Sequence, residues 1–271
     1  MDWEFFGEKG LTALRRFPRK TAMNYRETTN PAMREGAFRA LSGSPALGAM
    51  TARGTFGRTA ILLLLAIGAA VFSWTNPYVD PAAIGAKLAI FSLVGFGLAL
   101  ATIFRMDWSP YTAPAYAIAE GLVLGTISRL LNGVYPGIVA QAVALTFAVF
   151  AAMLLLYRFR IIQVTDRFRT IVVAATAAIC AVYLLSLLLR LFGGTGMGFL
   201  QQATPFGIIF SLLVVAIAAL NLVINFDFIE RVSRYGAPKY MEWYAAFGLI
   251  LTLLWLYVEV LNLLSKLRQD R

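Results

Sequence analysis

Seven apolar runs follow one another along the chain, separated by short polar segments. Each run has about 16 to 22 residues, which at ~1.5 Å per residue approximates the ~30 Å hydrocarbon core of a bilayer. The runs lack the period-2 alternation of a membrane strand, so helices are expected rather than a closed barrel. The pattern predicts an all-α, polytopic membrane bundle of seven transmembrane helices, at approximately 59–74, 84–104, 113–131, 138–157, 170–189, 206–224 and 243–264.

The separators have the chemistry of helix ends and turns. Glycine and proline recur in them because they end helices or begin turns, which predicts short loops. These separators are Thr75-Asn76-Pro77, Trp108-Ser109-Pro110, Gly133 with Pro136, Gly193-Gly194 and Gly236-Ala237-Pro238. The predicted division is a membrane domain over residues 59–266 and a short tail over 267–271.

The amino-terminal segment, residues 1–58, has a different composition. It carries ten Lys and Arg residues against five acids, with no long apolar face. This composition predicts a basic, largely flexible tail. No cleavable signal peptide is apparent, and targeting is expected to rest on the first span, which begins near Thr59.

The overall composition favours lipid as the solvent. Apolar residues make up 59% of the chain and charged residues 14%, and the mean hydropathy is +0.72. The net charge of +10 comes without a nucleic-acid motif, so anionic lipid is the expected partner and nucleic acid is not.

The residue inventory restricts the possible chemistry. With no histidine and one cysteine, Cys180, the chain cannot assemble the usual zinc, haem or Cys-His sites, and no cofactor is expected. Metal chemistry would have to use oxygen ligands, which suit a hard cation such as calcium.

The distribution of basic residues predicts the orientation. Loops on one side carry most of them, whereas residues 75–83 carry none and Arg129 and Arg190 stand alone. The tail is therefore expected in the cytoplasm. Seven spans then place the carboxyl end outside although Lys266 and Arg268 are basic, so either the last run is re-entrant or the rule is locally broken. The bases of the first side, besides the tail, are Arg105, Arg158, Arg160, Arg167, Arg169, Arg231, Arg234 and Lys239.

Polar residues inside the spans are the candidates for function, because they are costly in lipid. Gly121 and Gly125 give the third run a small face suited to close helix packing. The candidates for lining an ion path are Glu120, Asn221, Asn225 and Glu242, and the candidates for sensing pH are Asp227 and Glu259. For each acid the alternative is a structural role: hydrogen bonding to a neighbouring carbonyl for Glu120, an interhelical bond or a pairing with Lys266 for Glu259, and a solvated helix end for Asp227.

Glu259 lies among apolar neighbours. Lys266 is seven residues later, on the same face but about 10 Å along the axis. A carboxyl in such surroundings is a credible proton switch.

At these residues the sequence resembles the Bax-inhibitor family of membrane proteins, particularly its bacterial branch. The matching segments, in chain order, are Met50–Thr55, Glu120–Leu122, Tyr135–Val139, Tyr157-Arg158, Ala219–Val223, Phe226–Glu230 and Gly236–Tyr244.

The resemblance implies a fold and a function. It implies seven helices with the last one central, and a pH-sensitive calcium leak in the bacterial cytoplasmic membrane. It also implies two acids on helices six and seven that share a proton and close the pore. Asp227 matches the first acid and Glu259 the second, and Arg105 resembles a basic residue near them.

Two departures from that family concern the pair of acids. The second acid is Glu where the family commonly has Asp. In a plain hairpin that turns near Gly236, Asp227 would also lie about 15 Å from the turn and Glu259 about 32 Å. Contact between the two acids and a separation of one or more helical turns are both open at this stage.

Two functions of different classes remain. One is a pH-gated cation leak. The other is a regulatory protein without transport, because some bacterial relatives modulate a membrane protease and the basic tail could bind such a partner. An enzyme is not expected, since the chain has no GxSxG or HExxH motif. An intramembrane aspartyl protease would need two aspartates deep in spans, and Asp227 is the only candidate for one of them.

Overall fold

Seven long helices make up the part of the chain that the structure describes. The computed structural model describes residues 48–75, 84–192 and 202–269. All seven helices are long and apolar enough to cross a membrane. They are α1 (Ala52–Thr75), α2 (Ile84–Phe104), α3 (Ser109–Val134), α4 (Ile138–Arg158), α5 (Asp166–Leu191), α6 (Pro205–Arg234) and α7 (Met241–Gln269), with a 3-10 turn at Met106–Trp108 between α2 and α3. The prediction of an all-α bundle with seven spans is confirmed.

Local sequence explains several of the helix ends. Pro110 and Pro205 stand at the first positions of α3 and α6, where a missing backbone N–H costs nothing. The Thr204 hydroxyl accepts a hydrogen bond from Gly207 N at 3.1 Å and caps α6. Gly236 adopts φ +68° in the turn between α6 and α7, a backbone conformation that favours glycine.

Helix α7 is the centre of the bundle. It packs against α1, α3, α4 and α6, and it is the most deeply buried of the seven spans. The expectation that the last helix is central is therefore confirmed. The other helices turn large apolar side chains outward, as on α2 with Leu93 (72% exposed) and on α5 with Ile171 (67% exposed). Such surfaces suit lipid and not water.

Helices α1 and α3 approach each other closely. A Cβ atom added at Gly121 would overlap the Ala66 carbonyl, and one added at Gly125 would overlap the Ala70 backbone. The face of small residues predicted for the third apolar run, which is α3, thus permits this close packing.

Helix α1 begins at Ala52, seven residues before the predicted apolar run. Residues 48–58, which the sequence assigns to the flexible tail, are therefore packed: Met50 is buried, and its N–H donates to Ala237 O at 2.7 Å. The polar composition of these residues resembles that of the tail, but contacts with the α6–α7 turn hold them in place. Residues 1–47 of the predicted tail lie outside the described residues.

The last helix crosses the whole bundle. It begins near Met50, and at its other end Arg268 donates to Pro136 O (2.8 Å) and Gln141 Oε1 (2.9 Å) at the α3–α4 turn. A re-entrant last run is not observed. The end where α1, α3, α5 and α7 begin is called the basic face, and its Lys and Arg residues are Arg53, Arg58, Arg105, Arg158, Arg160, Arg167, Arg169, Arg231, Arg234 and Lys239.

Candidate functional site

Asp227 forms two ion pairs near the basic face. Its Oδ2 atom lies 2.9 Å from Arg169 Nη2 on α5 and 2.9 Å from Arg231 Nε one turn later on α6. The side chains are 18% exposed for Asp227 and 9% for Arg169. Because little water reaches them, the Coulombic attraction between these opposite charges is stronger than it would be at an exposed surface, although removing the charges from water has a cost. The pair between Arg169 and Asp227 fastens α5 to α6.

A cavity of about 220 Å³, with a mostly apolar wall that includes several polar side chains, lies next to this ion pair, among α2, α5, α6 and α7. Arg169 forms part of its wall at one end and Trp255 at the other. Between them the wall holds side-chain amides and hydroxyls, which are uncommon inside a membrane bundle. These polar side chains are Thr176, Asn221, Asn225 and Thr252.

The two asparagines line this cavity, and they are hydrogen-bonded across helices. Their prediction as residues of an ion path stays a prediction. Asn225 Nδ2 donates to Thr252 Oγ1 at 2.7 Å, which joins α6 to α7. Asn221 Nδ2 donates to Thr176 Oγ1 at 2.8 Å, which joins α6 to α5. The cavity is therefore bordered by a defined polar network.

Glu259 lies beyond the Trp255 end of the cavity. It is 3% exposed, and its Oε1 accepts hydrogen bonds from Tyr183 Oη at 2.9 Å and Trp255 Nε1 at 3.2 Å. Its Oε2 is buried and has no hydrogen-bond partner among the described residues. A buried carboxyl oxygen without a partner is costly unless it is protonated or receives a ligand.

Asp227 and Glu259 are not in contact. The α6–α7 hairpin is in register through Asn225 with Thr252 and through Ser211 with Lys266, whose atoms lie 2.7 and 2.6 Å apart. This register places Glu259 about nine residues, or about 14 Å, along α6 from Asp227. A proton shared between the two carboxyls therefore has no geometric support. Of the two arrangements that the sequence left open, separation is the one observed.

A comparison with known families shows which family the chain belongs to. A family model described as Bax inhibitor 1 like matches residues 19–269, nearly the whole chain. The chain belongs to that family. No curated protein matches it. No solved structure matches it either.

Other predicted residues of this Bax inhibitor 1 like chain lie away from the cavity. Arg105 is exposed, and its guanidinium lies 5.5 Å from the centre of the Trp108 ring rather than beside Asp227. Glu120 is half-buried and packs against α2, since a Cβ atom at Gly95 would lie 2.8 Å from Glu120 Oε1. Neither residue is among those that line the cavity.

Glu242, a further candidate for the ion path, instead holds the start of α1. It is 1% exposed, and its Oε1 accepts from Thr51 N at 3.1 Å and Thr51 Oγ1 at 3.0 Å. Lys239 Nζ lies 2.9 Å from the same oxygen, and Arg58 Nη2 lies 3.9 Å from Oε2. Gly54 leaves the space that the carboxyl fills. These contacts are called the Glu242 clamp.

Nearby, Tyr240 lies outside the spans, in the α6–α7 turn. Burial first and the Asp107 carboxylate second raise the pKa of its phenol. Tyr240 therefore stays neutral at physiological pH.

Sequence reasoning missed three residues of the site: Arg169, Tyr183 and Trp255. Arg169 was counted as one base of a loop cluster, although its place in the first turn of a span set it apart from Arg158 and Arg160. Tyr183 and Trp255 are aromatic residues within apolar runs, where nothing local distinguishes a hydrogen-bond donor from a packing residue. Within the described ranges no group of three metal-ligating side chains occurs.

Proposed function

We propose that this protein is a pH-sensitive cation leak channel of the bacterial cytoplasmic membrane, with calcium as its main cargo and the amino terminus in the cytoplasm. The observation that carries the proposal is the cavity inside the spans with amides and hydroxyls in its wall, which has the Arg169–Asp227 ion pair at one end and the Trp255–Glu259 hydrogen bond at the other. The concentration of bases at the basic face supports the orientation.

The described arrangement corresponds to a closed path. The Arg169 guanidinium occupies the space beside Asp227 that a cation would need, and the ion pair fastens α5 to α6. Protonation of Asp227 removes the negative charge that holds Arg169. The expected consequence is that α5 and α6 separate at the basic face and the cavity opens towards the cytoplasm.

The cavity wall suits a hard cation in transit. Amide and hydroxyl oxygens can replace part of the water shell of calcium, and neutral ligands bind it weakly enough to let it leave. Glu259 lies at the far end, where a carboxylate would attract the cation from the other side. The proposal needs no bound cofactor and no chemical step.

The test is calcium flux through purified protein in liposomes loaded with a calcium dye. Asp227→Asn is expected to raise the leak at neutral pH, because the amide cannot hold Arg169 by charge. Asp166→Asn is the matched control, since Asp166 is an exposed acid at the start of α5. Absence of flux from both the wild type and Asp227→Asn would overturn the proposal.

The basic segment before α1 favours a second candidate, a regulatory protein that binds a membrane protease and does not transport ions. Residues 1–47 carry eight of the ten basic residues that precede the first apolar run. Deleting residues 1–47 separates the candidates. Under the channel proposal, calcium flux survives the deletion. Under the regulatory proposal, protease binding is lost and no flux is present before or after the deletion.

A further inference from the structure

A second cavity opens on the lipid-facing side of the bundle, between α1 and α4. Its volume is about 420 Å³. Its mouth is formed by half-exposed side chains, Ile67 and Val71 on α1 and Val143 and Phe147 on α4. We call it the α1–α4 groove.

The floor of the groove reaches the centre of the bundle. Ala66 (3% exposed), Leu124 (7%) and Leu253 (5%) form it, so side chains of the central helix α7 border a space that opens to lipid. Packing between helices normally excludes such gaps, because each unfilled contact forfeits dispersion energy. An occupant would restore those contacts.

The chemistry of the wall selects an apolar occupant. The Ser128 and Tyr257 hydroxyls bond each other at 2.6 Å, and the Thr146 hydroxyl donates to Ala142 O in its own helix at 2.8 Å. The hydroxyls of the wall are therefore already satisfied. Water would find few partners in such a space, and apolar cavities of this kind stay dry.

The length and position of the groove match one leaflet. Along α1 it extends from Leu63 to Trp74, eleven residues or about 17 Å, close to half of the ~30 Å hydrocarbon core. It lies in the half of the bundle away from the basic face, since Trp74 stands at the end of α1. A tryptophan there suits the membrane–water interface.

We propose that the α1–α4 groove binds one acyl chain of a phospholipid from the leaflet opposite the basic face. The chain lies along α1 and α4 and touches α7 at Leu253, Leu254 and Tyr257. The Trp74 indole lies level with the lipid headgroup. This inference does not depend on the proposed ion transport.

The test uses a phospholipid that carries a photoreactive diazirine in one acyl chain, mixed into phosphatidylcholine liposomes containing the full chain. After illumination, mass spectrometry maps the labelled peptides. Labelling of residues 63–74 and 139–147 is expected to exceed that of the exposed α2 and α5 surfaces at least several-fold. Equal labelling of all lipid-facing helices, or labelling that avoids the groove, would overturn the proposal by showing surrounding lipid only.

Three variants test the location. Val143→Trp fills the mouth of the groove and is expected to abolish the excess labelling, with Val143→Phe giving an intermediate effect. Leu93→Trp adds the same bulk on the open surface of α2, where Leu93 is 72% exposed, and is expected to leave groove labelling unchanged. Excess labelling that persists in a folded Val143→Trp variant would contradict the assignment. The wild-type labelling pattern decides the question even if that variant fails to fold.

Discussion

Arg169 on α5 and Asp227 on α6 form an ion pair with a 2.9 Å separation, 58 residues apart in the chain. The resemblance to the family had implied instead a proton shared by Asp227 and Glu259. Asp227, at the basic face, is thus held by a permanent cation. Glu259 lies about 14 Å from Asp227 along α6 and accepts its hydrogen bonds from the neutral donors Tyr183 and Trp255. The two acids therefore have different surroundings and different roles in the proposed channel.

The ion pair is expected to be energetically coupled. Arg169→Met and Asp227→Asn should each destabilise the folded protein, and the double variant should be less destabilised than the sum, with a coupling of about 1–3 kcal/mol. Unfolding of the detergent-solubilised protein measures this coupling. Asp166→Asn combined with Arg169→Met should be additive, and additivity for the Asp227 pair would contradict the coupling.

The Glu242 clamp predicts an effect at Gly54. A Cβ atom there would overlap the Glu242 carboxyl, so Gly54→Ala should destabilise the protein by about 1–3 kcal/mol. Gly57→Ala is the matched control in the same helix, because nothing lies within 4 Å of the added atom, and it should be neutral or stabilising by up to ~1 kcal/mol. In a Glu242→Ala background the cost of Gly54→Ala should largely disappear. If it persists in full, the clamp does not explain Gly54.

The α1–α3 contact predicts a similar contrast. Gly125→Ala places a methyl group against the Ala70 backbone, which cannot move as a side chain can, so a loss of about 1–3 kcal/mol is expected. Gly133→Ala lies in open space on the same helix and should cost nothing. Thermal unfolding of the two variants side by side checks this, and equal melting temperatures would show that the close approach is not required.

Much of the fold could be predicted from the sequence, because the length and apolarity of a span are properties of one continuous segment. The start of α1 could not, since Thr51 is held by Glu242, 191 residues away in the chain. The partner of Asp227 was missed for the same reason: the pairing of Arg169 with it depends on how α5 packs against α6. The rise of a helix converts residue spacing into distance, so the sequence could show that Asp227 and Glu259 are separated in a plain hairpin, but it left their contact open.

Glu259 is expected to affect the rate of ion passage in the open state. In the Asp227→Asn background, Glu259→Gln should lower calcium flux about tenfold, equivalent to ~1.4 kcal/mol, because the carboxylate at the far end of the cavity is lost. Glutamine can still accept the Tyr183 and Trp255 hydrogen bonds, so the fold should persist. Glu230→Gln is the control: Glu230 is a partly exposed acid at the basic face, bonded to Tyr157 and Arg234. Equal calcium flux with and without Glu259→Gln would show that Glu259 does not contribute to the ion path.

The response of calcium flux to acid tests the central claim most directly. The groups that face Asp227 are Arg169 from α5, Arg231 from α6 and Tyr157 from α4, and protonation of Asp227 releases both arginines. The measurement is calcium entry into dye-loaded proteoliposomes as the pH on the side of the basic face is lowered. Entry is expected to rise on acidification in the wild type, and to be high and insensitive to pH in Asp227→Asn. An acid response that is unchanged in Asp227→Asn would contradict the account.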